Sequence, residues 1–160
     1  MKIQHVKIDS PVGVLTLVSD GRALIRIHFG KLPAREAGPE LTAAEDSILA
    51  RAARQLGEYF DGKRASFDLP LDPAGTEFQK RVWKELSKIP FGRTSTYAEL
   101  ARRIGAPKAS RAVGGANGRN PLPIVVPCHR VIGKDGSLTG FAFGIGAKQK
   151  LLAHEGVRFS

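Results

Sequence analysis

The chain is short of the residues that staple small or secreted proteins together. Among its 160 residues there is one cysteine, one methionine and one tryptophan. A single thiol excludes an internal disulfide and any cysteine-rich zinc site, and it fits a reducing compartment. No stretch reaches the roughly 18 apolar residues of a membrane span, and the N-terminal segment has no apolar signal core. The expected setting is therefore the cytoplasm, away from any membrane. Acidic residues are also scarce, with 15 Asp and Glu against 25 Lys and Arg for a formal net charge of +10. Such a surface attracts polyanions and makes nucleic acid the first partner to consider, although a basic and otherwise ordinary protein satisfies the same count. The length suffices for one large domain or two small ones, each with a real core.

What is present falls into two parts. Segments 5–8, 14–18 and 23–29 alternate or run apolar, and the turn signals Ser10-Pro11-Val12-Gly13 and Asp20-Gly21 separate them. This pattern predicts a three-stranded antiparallel meander. His5 and His28 fall on its strands, with no second cysteine to complete a metal site. Residues 30–41, holding two prolines and two glycines, read as a surface loop. Thr42-Ala43-Ala44-Glu45 has the form of a capping box opening a helix with Ile48, Leu49, Ala52, Leu56 and Phe60 on one face, closed by Asp61-Gly62. A short strand over 65–69 and a linker over 70–75 follow. The expected division is a scaffold domain over 1–70 and a second domain over 71–160.

The second part begins with another box, Thr76-Glu77-Phe78-Gln79, and a helix carrying Phe78, Val82, Trp83 and Leu86 at helical spacing, with Trp83 as a core anchor. Pro90-Phe91-Gly92 breaks it. A third box, Thr96-Tyr97-Ala98-Glu99, opens a short helix ending at Gly105, and a second runs over about 108–117. Two short helices joined by a tight glycine-containing turn predict a helix-turn-helix. The second helix holds Gly114 and Gly115 in its interior, each costing about 1 kcal/mol against alanine. Its small face of Ala112, Gly114 and Gly115 admits either a neighbouring helix or a DNA groove at close range. Only Arg111 has the reach of a base-edge reader, so binding without sequence readout is expected. Tyr97, Arg111, Ala112, Gly114, Gly115 and Asn117 form the expected DNA-contacting set.

The stretch with the most chemistry is Ile124-Val125-Val126-Pro127-Cys128-His129-Arg130-Val131. It reads as an apolar strand ending in a proline corner that presents the only thiol beside an imidazole. A thiol acts as a nucleophile only as thiolate, and a neighbouring histidine is one way to make it so. Taken alone, the pair is equally a buried structural cysteine and an unrelated histidine.

Pro127-Cys128-His129-Arg130-Val131, together with Tyr97-Ala98-Glu99-Leu100-Ala101, Arg111-Ala112-Val113-Gly114, Asn120-Pro121 and Leu151-Leu152-Ala153-His154-Glu155-Gly156, resembles the O6-alkylguanine-DNA alkyltransferases in order and spacing. The likeness covers about the last 85 residues well and the first 70 only in general pattern. It implies an α/β protein: a small ribonuclease H-like domain of β-sheet plus helix, then a mainly helical, winged-helix-like domain. Cys128 would accept the alkyl group, with His129 as its base through a bridging water and Glu155 orienting the imidazole. Asn120 joins the catalytic set. Tyr97 would turn the 3′ phosphate and protonate the guanine, and Arg111 would fill the stack vacated by a flipped nucleotide.

On this likeness Val131, Phe141, Ala142 and Phe143 line the base pocket, and the backbone carbonyls of Cys128 and Val131 face the exocyclic amine. Phe141-Ala142-Phe143-Gly144 stands where many relatives have a tyrosine followed by small residues. No cofactor and no metal are implied; the partner is duplex DNA bearing O6-alkylguanine, met by a monomer in a single turnover. Read from the residues alone, Glu155 is more readily a helix-end surface carboxylate than a partner of Cys128, and the plain readings of Tyr97 and Arg111 are a packing residue and a phosphate contact. Two other functions stay open: a helix-turn-helix module that binds lesions or promoters without chemistry, and a Cys-His hydrolase.

Overall fold

The structure is a computed structural model in which residues 2–41, 47–138 and 143–158 are described. The box at Thr42-Ala43-Ala44-Glu45 and the pocket residues Phe141 and Ala142 lie outside the described residues. The chain forms two compact units, Met1–Ala74 and Gly75–Ser160.

In the first unit, β1 (Gln4–Ile8), β2 (Leu15–Ser19) and β3 (Leu24–Phe29) form an antiparallel meander in the order β1-β2-β3. The register pairs Val6 with Leu17 and Leu17 with Ile27. The central strand is buried along its whole length. Helix α2 (Ser47–Phe60) packs on the sheet through Ile48, Leu49, Ala52, Leu56 and Tyr59. Tyr59 takes the inner position and Phe60 is only half-buried.

Two expectations fail here. The 30–41 loop contains one helical turn, α1 (Ala34–Ala37), and Glu40 bridges to His5 in β1. No strand forms over 65–69. The buried Gln55 carboxamide binds that segment instead, accepting from the Asp68 amide at 2.9 Å and donating to the Asp68 carbonyl at 3.0 Å. Backbone groups satisfied by a side chain have no need of a strand partner. Pro70 to Asp72, expected as linker, is held to β3 by hydrogen bonds between Leu24 and the backbone of Pro70 and Asp72.

In the second unit α3 (Glu77–Leu86) opens with a complete capping box between Thr76 and Gln79. It buries Val82, Trp83 and Leu86, and the Trp83 indole donates to the Ala116 carbonyl at 2.8 Å. Gly75 is demanded by this ring, since a Cβ there would stand 2.4 Å from it. After the 90–92 turn come β4 (Ser95–Thr96) and α4 (Tyr97–Arg103), a turn through Gly105 at φ 77°, and α5 (Ser110–Gly118). Only half of the box expected at Thr96 forms. Thr96 accepts from the Glu99 amide, but the Glu99 carboxylate pairs with Arg102 and Arg103.

The expected strand over 124–126 is absent. That stretch is a turn closed from the Val126 amide to the Leu122 carbonyl at 2.8 Å, with Ile124 at φ 75°. A single 3-10 turn (Cys128–Arg130) then leads into β5 (Val131–Ile132), which pairs in parallel with β4. Helix α6 (Ile145–His154) closes the unit.

Candidate active site

Cys128 is delivered by the turn before it. The Asn120 carboxamide spans that turn, accepting from the Leu122 amide at 3.0 Å and donating to the Val126 carbonyl at 2.8 Å. This brace holds Ile124 in a left-handed conformation that a β-branched residue adopts only under constraint, at about 1–3 kcal/mol. Pro127 then starts the 3-10 turn, leaving Cys128 1% exposed and His129 fully buried.

The far end of α6 supplies the partner. Gly156 at φ 80° lets the helix end with its own amide on Ala153 and the Val157 amide on Leu152. That double closure places Glu155 at the C-cap and turns its side chain inward. His129 Nε2 meets Glu155 Oε2 at 2.7 Å. Arg130 grips the same carboxylate through Nε at 2.8 Å and Nη2 at 3.0 Å, and the Gly92 amide donates to Oε1 at 3.2 Å. The third Arg130 nitrogen donates to the Ile89 carbonyl at 2.6 Å, and the guanidinium lies 5.9 Å above the Phe91 ring. His129 Nδ1 is buried with no hydrogen-bond partner among the described residues. A carboxylate accepts, so the proton of a neutral His129 sits on Nε2 and the lone pair on Nδ1.

Lys148, fully buried in α6, donates Nζ to the Val131 carbonyl. Burial pulls its ammonium down to about 8, against the pull of Cys128. Burial pushes the Cys128 thiol up to about 11, outweighing the Asn120 hydrogen bond and the charge of Lys148. Burial also holds His129 below the ordinary imidazole range, with Glu155 opposing and Arg130 and Lys148 assisting. The resting pair is therefore a thiol and a neutral imidazole. Burial, then the nearby Cys128, raises the half-buried Tyr97 phenol. Among the described residues no cluster of His, Cys, Asp and Glu is placed to hold a metal ion.

Asn117, expected to face DNA, is 1% exposed. It faces the opposite way, with Nδ2 3.4 Å from the Cys128 carbonyl and Oδ1 without a hydrogen-bond partner among the described residues. Helical periodicity is the reason: with Val113, Ala116 and Asn117 inward, Arg111, Ala112 and Gly115 are left exposed and Gly114 half-exposed. Nothing inside the protein requires the two glycines. A Cβ on Gly114 or on Gly115 would reach its nearest neighbours, the Tyr97 ring and Arg119, at an ordinary 3.8 Å. The space they leave is on the outside. Phe143 is half-buried beside the start of α6.

The structure thus brings Cys128, His129, Asn120 and Glu155 into one buried cluster and sets Arg111 on an open face. Sequence reasoning missed Arg130 and Lys148. An arginine directly after the Cys-His pair was the available signal for the first; nothing in the sequence marked the second.

The chain matches the family described as "6-O-methylguanine DNA methyltransferase, ribonuclease-like domain" over residues 3–73, and "6-O-methylguanine DNA methyltransferase, DNA binding domain" over 77–157. It is 49% identical to the methylated-DNA–protein-cysteine methyltransferase of Methanosarcina acetivorans, over 92% of this chain and 95% of that one. Among solved structures, it superposes on the O6-methylguanine methyltransferase of Mycobacterium tuberculosis with a TM-score of 0.86 at 46% identity, covering 96% of this chain and 92% of that one. The crystal structure of the M. tuberculosis OGT in complex with DNA gives 0.86 at 46% identity, over 95% and 92%. Two family matches that tile the chain, and relatives near half identity over nearly its full length, leave one assignment: the chain belongs to the 6-O-methylguanine DNA methyltransferase family.

Proposed function

We infer that this protein repairs O6-alkylguanine in duplex DNA by moving the alkyl group irreversibly to Cys128. The 2.7 Å bond between His129 Nε2 and Glu155 carries the reading, because it leaves Nδ1 as the basic atom of a buried imidazole one residue from the thiol. The Cys128 thiol passes its proton through a water to Nδ1, and Glu155 stabilises the imidazolium. Sulfur attacks the alkyl carbon, the carbon–O6 bond breaks, and Tyr97 protonates the departing guanine. The Cys128 carbonyl already accepts the Val131 amide, and the long Asn117 contact is the one an incoming exocyclic amine displaces. The product is a thioether with no easy leaving group, so the thiol does not return and the protein is consumed.

The proposed DNA-facing surface is the helix-turn-helix of α4 and α5, entering a groove with Ala112, Gly114 and Gly115 and contacting phosphate beside Tyr97. No helix is long and apolar enough to cross a membrane among the described residues, and the protein is proposed to act in the cytoplasm as a monomer without metal or cofactor. The first unit is its scaffold.

The test is stoichiometric. Duplex DNA bearing labelled O6-methylguanine, incubated with excess substrate, gives one methyl group per protein, mapped by mass spectrometry to the peptide containing Cys128. Release of many methyl groups per protein overturns the single-turnover reading.

Arg111 carries a second prediction. If its guanidinium fills the gap left by an extruded nucleotide, Arg111→Ala slows transfer from duplex DNA by roughly ten- to a hundredfold, the scale of unstacking. Transfer from free O6-benzylguanine, which has no stack to leave, stays within about twofold on the same reasoning. Second-order rates for both substrates at two salt concentrations decide it. A defect that low salt restores marks a simple phosphate contact, and equal losses on both substrates show that Arg111 supports the pocket.

A further inference from the structure

The Glu155 carboxylate has more partners than a base-orienting group requires. Four hydrogen bonds, one from His129, two from Arg130 and one from the Gly92 amide, place two donors on each of its oxygens. Both side chains of the Arg130–Glu155 pair are almost wholly buried, the arginine at 6% and the glutamate at 0% exposure. A buried bidentate pair of this kind is neutral as a unit, and its geometry is fixed by both partners.

This has a consequence for His129. Glu155 beside His129 with no arginine would be one buried negative charge next to a titratable ring, and proton uptake by the ring would neutralise it. With Arg130 bound, the carboxylate is already neutralised, and a proton on His129 would add an uncompensated charge to a buried site.

We propose that Arg130 is a positioning residue which, by saturating Glu155, keeps His129 neutral and available as a base while still letting the carboxylate hold its tautomer. The proposal rests on the reading of His129 as the base for Cys128. The other groups facing the ring agree with it. From the 3-10 turn come Cys128 and Arg130. From α6 and its C-cap come Lys148 and Glu155. The 89–92 turn gives the Ile89 carbonyl and the Phe91 ring to Arg130 and the Gly92 amide to Glu155, and α3, which packs against the 3-10 turn, buries the apolar Val82, Trp83 and Leu86. Glu155 is the one anion in this set; Arg130 and Lys148 both press the ring toward the neutral form.

The decisive measurement is the pH profile of alkyl transfer from free O6-benzylguanine, read beside the titration of the His129 ring by nitrogen-15 NMR. In the native protein the acid limb of the rate tracks a His129 titration below the ordinary imidazole value. Arg130→Met removes the charge at similar length, and the acid limb and the ring titration both move up by about one pH unit or more. Below the new midpoint the rate falls roughly tenfold per pH unit, while at pH 9 it stays within about threefold of native. Arg130→Lys keeps the charge without the fork and shifts the limb less; should Arg130→Met not fold, this variant carries the test. Adding Glu155→Gln to Arg130→Met removes the stranded anion and returns the midpoint toward native.

A loss equal at every pH, with the His129 titration unmoved, overturns the proposal and leaves Arg130 as a structural brace. A native profile with no limb tracking His129 overturns instead the assignment of His129 as base, and the two failures are read from different proteins.

Discussion

Cys128→Ala yields a folded protein that binds duplex DNA as the native one does and accepts no alkyl group from any substrate. The exposed face of α5 is separate from the buried thiol, so nothing that touches DNA from outside is altered. Transfer, in contrast, has no other acceptor, because the chain has no second cysteine. The rate on O6-methylguanine duplex and on free O6-benzylguanine should drop to background, and gel-shift affinity should stay within about twofold of native, since phosphate contacts set it. A binding-only module would lose nothing in any assay. Persistent methyl uptake by the variant would place the acceptor elsewhere.

The same substitution has a pH signature. Cys128 is raised from 9.0 to about 11 in the folded protein, so the folded state holds this proton more tightly than the unfolded one. Its contribution to stability is complete below pH 9 and is lost as pH rises toward 11, by about 2–3 kcal/mol at the upper end. Lys148 acts with the opposite sign: its depression from 10.5 to about 8 penalises the folded state at low pH and is relieved as pH rises through that interval. Lys148 is present in both proteins. The difference between native and Cys128→Ala in urea unfolding at pH 8 and pH 10.5 therefore reports the thiol together with its coupling to Lys148, and the native protein should lose ground to the variant as pH rises.

Glu155→Ala should be the most damaging single change in the second unit. It strands the buried Arg130 guanidinium, the His129 Nε2 proton and the Gly92 amide at once. Breaking a buried pair by removing one partner costs about 3–5 kcal/mol, much of a domain's margin. At a temperature where the variant is still folded, transfer from free O6-benzylguanine should fall roughly 10²- to 10⁴-fold, because the imidazole loses both its fixed tautomer and the anion that stabilises its charged form. Glu155→Gln keeps the shape but must aim an amide N–H at Arg130 or His129. It should be less destabilised than Glu155→Ala and comparably inactive. Urea unfolding and free-base rates together decide the matter. Native rates in a Glu155→Ala protein that unfolds within about 1 kcal/mol of native would remove Glu155 from the mechanism.

Much of this protein was legible residue by residue where the governing interactions are local. The meander follows from apolar alternation and two turn signals, and the start of α3 from Thr76 and Gln79 three positions apart. The stop of α4 follows from Gly105, at a position where a positive φ is needed. Cys128 stood out because it is alone. The two misread strands share one cause. The apolar alternation at 65–69 and the apolar run at 124–126 look like strands, but a strand needs a partner edge, and in both places a carboxamide, Gln55 or Asn120, took the backbone groups instead. The β4–β5 pair was missed for the converse reason, since two residues carry no period.

The burial of Lys148 and the grip on Glu155 depend on contacts between segments far apart in the chain. No local propensity encodes those contacts. The sequence by itself determined most of the helices and the meander and singled out the one thiol, because capping, periodicity and turn chemistry act within a few residues. Only the tertiary structure decided which charges meet without water between them. Desolvation, which sets the proton affinities of Cys128, His129 and Lys148, is a property of the packed interior and of no single stretch of chain.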